Sequence, residues 1–125
     1  MTDKKHNKNN NGNEIKRLCK AFGYSMSGIK TALNERAFIL EVIISIMAIP
    51  TAFFISENKI ELILLVGSLF LVMIVELLNT GIESAIDRIS DEIHPLSKKA
   101  KDIASAAVLL SLINATFVWL VILLG

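Results

Sequence analysis

Cysteine, proline and glycine are scarce in this sequence: one, two and six residues in 125, and only 20% of the chain is charged. The single Cys19 permits no internal disulfide and no cysteine-rich metal site, so it reads as a small apolar packing residue. Familiar phosphate-binding motifs are missing as well. There is no G-x-x-x-x-G-K-[ST], no G-x-G-x-x-G, no H-R-D and no D-F-G, which excludes a P-loop fold and a protein-kinase fold. No signal peptide is evident, because the first apolar run starts only at Ala37 and has Glu41 inside it; the apolar segments are expected to persist in the mature protein. What the sequence has in abundance is hydrophobic side chains, 53% of the total, too many for an ordinary soluble domain of this size.

These residues gather in three runs, at about 37–56, 60–82 and 103–124, the last free of charge. Each is long enough to cross a bilayer, and the expected fold class is an all-α membrane protein with three transmembrane helices. Pro50 falls near the end of the first run, where it kinks or terminates a helix, and Gly67 in the second is tolerated in membrane helices. Lys and Arg concentrate before the first run (Lys16, Arg17, Lys20, Lys30, Arg36) and between the second and third (Arg88, Lys98, Lys99, Lys101). The short loop "SENK" offers only Lys59, so the positive-inside rule places the N-terminus in the cytoplasm of a multi-pass protein.

Residues 1–13, rich in Asn and Lys, are expected to be a disordered tail preceding a domain over 14–125. From Glu14 a new pattern starts. Ile15, Leu18, Cys19, Phe22, Met26, Ile29 and Leu33 recur every three or four residues with Lys16, Arg17, Lys20 and Lys30 elsewhere on the wheel. This is an N-terminal amphipathic helix, with Gly23 and Gly28 as places for a break, suited to an anionic membrane surface or to packing on the bundle.

The stretch "VELLNTGIESAID" is the chemically distinctive one. At 100° per residue, Glu76, Asn79, Glu83 and Asp87 share an arc of about 80° and form one polar stripe at the end of an apolar run. An acidic residue at a membrane helix centre costs about 2.5–3.5 kcal/mol on insertion scales, so such residues usually face an interior and carry function. Glu35, Glu41, Lys101 and Asp102 fall at the same cytoplasmic level. Carboxylates with open water positions suit Mg²⁺ shared with phosphates, and lysines neutralise phosphate charge, so phosphoryl transfer is chemically available. A proton- or cation-coupled transporter is the rival reading, and a structural scaffold would need no aligned carboxylates.

"VMIVELLNTGIESAIDRISDEIHPLSKKAKDIASAAVLL" and "KRLCKAFGYSMSGIKTALNERAFILE" together resemble the prokaryotic diacylglycerol kinase family, over about residues 14–124. The resemblance implies three transmembrane helices plus an amphipathic surface helix, a homotrimer with composite sites, and no nucleic acid partner. It implies transfer of the γ-phosphoryl of ATP, with Mg²⁺, to diacylglycerol at the cytoplasmic face of the bacterial inner membrane. By motif position Glu76 matches the general base and Asn79 the adjacent polar residue of the catalytic face. Glu35 and Glu83 match the metal-holding carboxylates. Arg17, Tyr24, His94, Lys101 and Asp102 match nucleotide positions alongside Glu35 and Glu83, and Arg17, Glu41, Glu76 and Ser105 match positions near the lipid. One feature, "HPL", resembles the branch that phosphorylates undecaprenol, whereas Tyr24, Glu41 and "IDRI" follow the diacylglycerol branch.

Overall fold

The computed structural model describes residues 3–89 and 91–125, with side chains from Asn10 onward. Four helices follow one another: α1 (Asp3–Ala32), α2 (Arg36–Ile55), α3 (Lys59–Ile89) and α4 (Pro95–Leu124). They divide into two compact units, α1 up to Asn34 and everything from Glu35 on.

The first unit is one helix. It runs without a break through Gly23 and Gly28, and it begins at Asp3, so residues 3–13 are helical rather than the expected disordered tail. Helix nucleation is costly and propagation cheap, and no proline intervenes, so the helix nucleated by the amphipathic turns extends towards the N-terminus through residues that have no apolar face. At the other end Asn34 N–H donates to the Thr31 carbonyl at 3.1 Å, tightening the last turn, and Glu35 takes extended dihedrals (φ −86, ψ 127) that stop the helix and start the next.

In the second unit α2, α3 and α4 are each long and apolar enough to cross a membrane. α2, with 20 residues, is about 30 Å long, the thickness of a hydrocarbon core. α3 has 31 residues and α4 has 30, so each exceeds that thickness by about 15 Å. α3 and α4 therefore outrun their expected spans, whereas α2 matches its own within a residue at each end, and the surplus carries the polar ends. α2 continues past Pro50 to Ile55, with the Thr51 hydroxyl donating to the Met47 carbonyl at 3.0 Å. Pro50 removes the N–H that would bond the Ile46 carbonyl, a loss that membrane helices tolerate without ending.

Short caps set the corners. Glu61 N–H donates to Asn58 Oδ1 at 3.0 Å while Glu61 Oε2 accepts from Glu57 N–H at 2.8 Å, a reciprocal arrangement that opens α3. At α4, His94 Nδ1 accepts from Leu96 N–H at 3.1 Å and Pro95 takes the first helical position.

α3 is the helix on which the other two pack. Its buried residues are Leu65, Ser68, Val72 and Glu76, at steps of three and four along one face. α2 contributes Phe38, Ser45 and Ala52, and α4 contributes Ala104 and Ser111. Serine and alanine let membrane helices approach closely, and the hydroxyls of Ser68 and Ser111 are satisfied by carbonyls of their own helices, Leu65 at 2.8 Å and Val108 at 2.7 Å. Much of the remaining apolar surface is open, Phe54 to 91%. In water this would be a liability; lipid is its natural cover.

Candidate functional site

The buried face of α3 becomes the polar stripe without changing direction. Leu65, Ser68, Val72, Glu76, Asn79, Glu83 and Asp87 fall within an arc of about 100°. Glu76 is the last buried member, 6% exposed, while Glu83 and Asp87 are exposed. From Glu76 to Glu83 the helix rises about 10 Å, so the stripe crosses from a closed interior to open surroundings within two turns.

Glu41, half-buried on α2, lies within the electrostatic field of Glu76, and its Oε2 is enclosed without a hydrogen-bond partner. Glu35 and Glu83 also bear on Glu76 electrostatically, so the chain folds these four carboxylates to one end of the bundle. Asn79 Oδ1 is a second enclosed acceptor without a partner. It is the sole polar residue of a groove of about 490 Å³ that Val75, Leu78 and Ile82 of α3 share with Ala100, Ile103, Ala104 and Ala107 of α4. Ser105 lies exposed beside this groove and is not among its lining residues.

Beyond the membrane-length segments the α3–α4 connection forms a cleft of about 320 Å³. His94, Lys101 and Asp102, three residues expected at a nucleotide, line it together with Asp87 and Lys98. Two ion pairs organise it: Lys101 Nζ to Asp87 Oδ1 and Lys98 Nζ to Asp102 Oδ2, each 2.6 Å. Because His94 Nδ1 accepts the capping hydrogen bond, Nε2 carries the ring proton. Arg17 and Tyr24 lie exposed on one face of α1 with Glu14 and Lys20, in the first unit. The i,i+4 pairing of Lys98 with Asp102 was available from spacing alone. The Asp87–Lys101 pair and the α4 wall opposite Asn79 were not, because neither follows from the period of one helix.

Among the described residues no group of three or more His, Cys, Asp or Glu side chains is placed to hold a metal ion unaided. Mg²⁺ typically takes one or two carboxylates and completes its shell with phosphate oxygens and water, so a donor set of Glu35 and Glu83 fits an ion that arrives on a nucleotide.

Membrane-length helices with a carboxylate-lined end and an adjoining cleft of mixed charge, where Lys98 and Lys101 stand among Asp87, Asp91, Glu92 and Asp102, define a helical membrane protein with polar chemistry gathered at the bilayer edge. Residues 23–123 match the family model described as prokaryotic diacylglycerol kinase. The chain is 44% identical over 115 residues to the diacylglycerol kinase of Escherichia coli (strain K12), covering 91% of this chain and 94% of that protein. It is also 44% identical over 112 residues to that of Pseudomonas aeruginosa, covering 89% and 91%, and 46% identical over 106 residues to that of Helicobacter pylori (strain 26695), covering 84% and 83%. The chain belongs to the prokaryotic diacylglycerol kinase family, and by that membership it is an enzyme, a lipid kinase. The transporter reading is set aside.

Proposed function

We propose that this chain phosphorylates diacylglycerol with ATP, Glu76 taking the proton of the lipid's primary hydroxyl as that oxygen attacks the γ-phosphorus. The new P–O bond gives phosphatidic acid, the bond to the β,γ-bridging oxygen breaks, and ADP leaves with the electron pair. The observation that carries this reading is the burial of Glu76 at the end of a membrane-length helix, two turns from exposed Glu83. A poorly solvated carboxylate is a stronger base than one in water. Asn79, one turn on, offers hydrogen bonds to the same hydroxyl, and Glu41 and Ser105 serve the lipid. Arg17 is assigned to both substrates.

Glu35 and Glu83 hold the Mg²⁺ that accompanies ATP, and the ion offsets charge on the phosphate oxygens. Tyr24, His94, Lys101 and Asp102 bind the nucleotide, Lys101 by neutralising phosphate charge. Lipid is thereby met at the buried end of the stripe and nucleotide at the exposed end.

The working form is a homotrimer in the bacterial inner membrane with its N-terminus in the cytoplasm. Two features support assembly: the extent of open apolar surface, and enclosed polar atoms of Glu41, Asn79 and Trp119 that find no partner within one subunit. The basic connections on either side of α2–α3 support the orientation.

The test offers purified protein diacylglycerol and undecaprenol in the same mixed micelles and follows phosphate transfer from ATP. Lipid-dependent turnover with preference for diacylglycerol is expected. Preference for undecaprenol would reassign the lipid, and ATP turnover indifferent to lipid would remove the reading altogether.

A further inference from the structure

Asp87 ends the polar stripe, and the reaction as derived gives it no task. Its Oδ1 accepts a hydrogen bond from Lys101 Nζ at 2.6 Å, joining α3 to α4 across a sequence separation of 14. The side chains stay 65% exposed for Asp87 and 40% for Lys101, and an ion pair so open to water contributes little to fold stability. Its consequence is one of position. A lysine ammonium rides on a flexible four-carbon stem, and an anchored carboxylate on a neighbouring helix restricts where that charge stands. Lys98 occupies Asp102 at 2.6 Å, so the carboxylate next to Lys101 in sequence is already engaged. Asp87 lies one turn beyond Glu83 on the same face, and Lys101 is within the field of Glu83. The ammonium is thus held at the wall of the α3–α4 cleft, close to a carboxylate assigned to the metal.

We propose that Asp87 is a positioning residue for the nucleotide, holding the Lys101 ammonium where the anionic triphosphate arrives. This rests on the reading of Lys101 as a nucleotide-site residue. The ammonium has three N–H donors, so it keeps the Asp87 bond while giving another to a phosphate oxygen, and no contact has to break for binding.

The experiment measures KM for MgATP, KM for diacylglycerol and kcat in the full chain for Asp87→Asn, Lys101→Met, the double variant, Asp87→Glu, and the exchange of Asp87→Lys with Lys101→Asp. Asp87→Asn should raise KM for MgATP about tenfold, with a smaller change in kcat and none in KM for lipid. The double variant should be no worse than Lys101→Met alone, and Asp87→Glu should recover most of the loss. The exchange re-forms an ion pair and should leave thermal stability close to that of the unaltered chain, yet it puts a carboxylate before the phosphates and should leave KM high. Multiplying effects in the double variant, an unmoved KM in Asp87→Asn, or full activity in the exchange would each overturn the proposal. A normal KM in Lys101→Met would remove the nucleotide reading of Lys101 itself, and the proposal with it, and so separates the two failures.

Discussion

Ser45 on α2 and Met73 on α3 touch at 3.9 Å, the serine Oγ donating to the thioether sulfur. α2 and α3 are joined only by residues 56–58 and pack on one another, so they run antiparallel. Stepping back one turn from Ser45 reaches Glu41, about 6 Å along α2, and stepping forward from Met73 reaches Glu76, about 4.5 Å along α3. The contact therefore brings the two carboxylates to nearly the same depth on facing sides of the helix pair. Glu41 is placed by this register, independently of any motif.

Bulk at Ser45 should separate the helices. Ser45 is 5% exposed, and Ser45→Leu adds a large side chain at the contact, at a cost of about 1–3 kcal/mol for overpacking. Denaturant titration in micelles should show an earlier midpoint, and activity should fall because Glu41 leaves its level opposite Glu76. An unchanged midpoint would mean that this register does not depend on a small residue.

Loss of the base should separate chemistry from assembly. Glu76→Gln keeps size and hydrogen bonding but not proton acceptance, so turnover should drop by roughly 10²- to 10⁴-fold. MgATP binding and subunit assembly, measured in the same preparation, should survive. An active variant would make Glu76 a structural interhelical bond, for which a neutral amide is a good substitute, and one that falls apart would show that the carboxyl is needed for assembly; either defeats the assignment as base.

The metal assignment rests on carboxylate charge at two positions. Glu35→Gln and Glu83→Gln should each raise the Mg²⁺ concentration needed for half-maximal rate, raise KM for MgATP and cut turnover, while assembly persists. Titrating Mg²⁺ at fixed ATP checks this, and near-normal behaviour of Glu83→Gln would sink the assignment.

His94 has a structural task as well as an expected ligand task. His94→Ala removes the acceptor for Leu96 N–H and should destabilise α4 by about 1 kcal/mol. His94→Asn supplies another capping oxygen and should recover stability. If KM for MgATP returns with the cap, the histidine acts on the nucleotide only through the helix start; if it stays high in His94→Asn, the ring itself is needed.

Much of this protein was determined by sequence periodicity. Runs of bilayer length fix membrane helices because the backbone must satisfy its own hydrogen bonds in lipid, and a 100° step alone puts Glu76, Asn79, Glu83 and Asp87 on one side of α3. The family is legible for the same reason, since these residues and the Ala-Lys-Asp that opens the third apolar run sit within single helices at fixed spacings. The continuity of α1 through Gly23 and Gly28 and back to Asp3 was not legible, because local propensity there is weak and propagation from the amphipathic turns prevails. Relations between helices needed the tertiary structure. That Asp87 holds Lys101, that alanines of α4 wall the groove at Asn79, and that Ser45 brings Glu41 level with Glu76 all depend on how ridges of one helix settle on the next. No residue's spacing along its own helix encodes the depth or rotation at which its neighbour comes to rest.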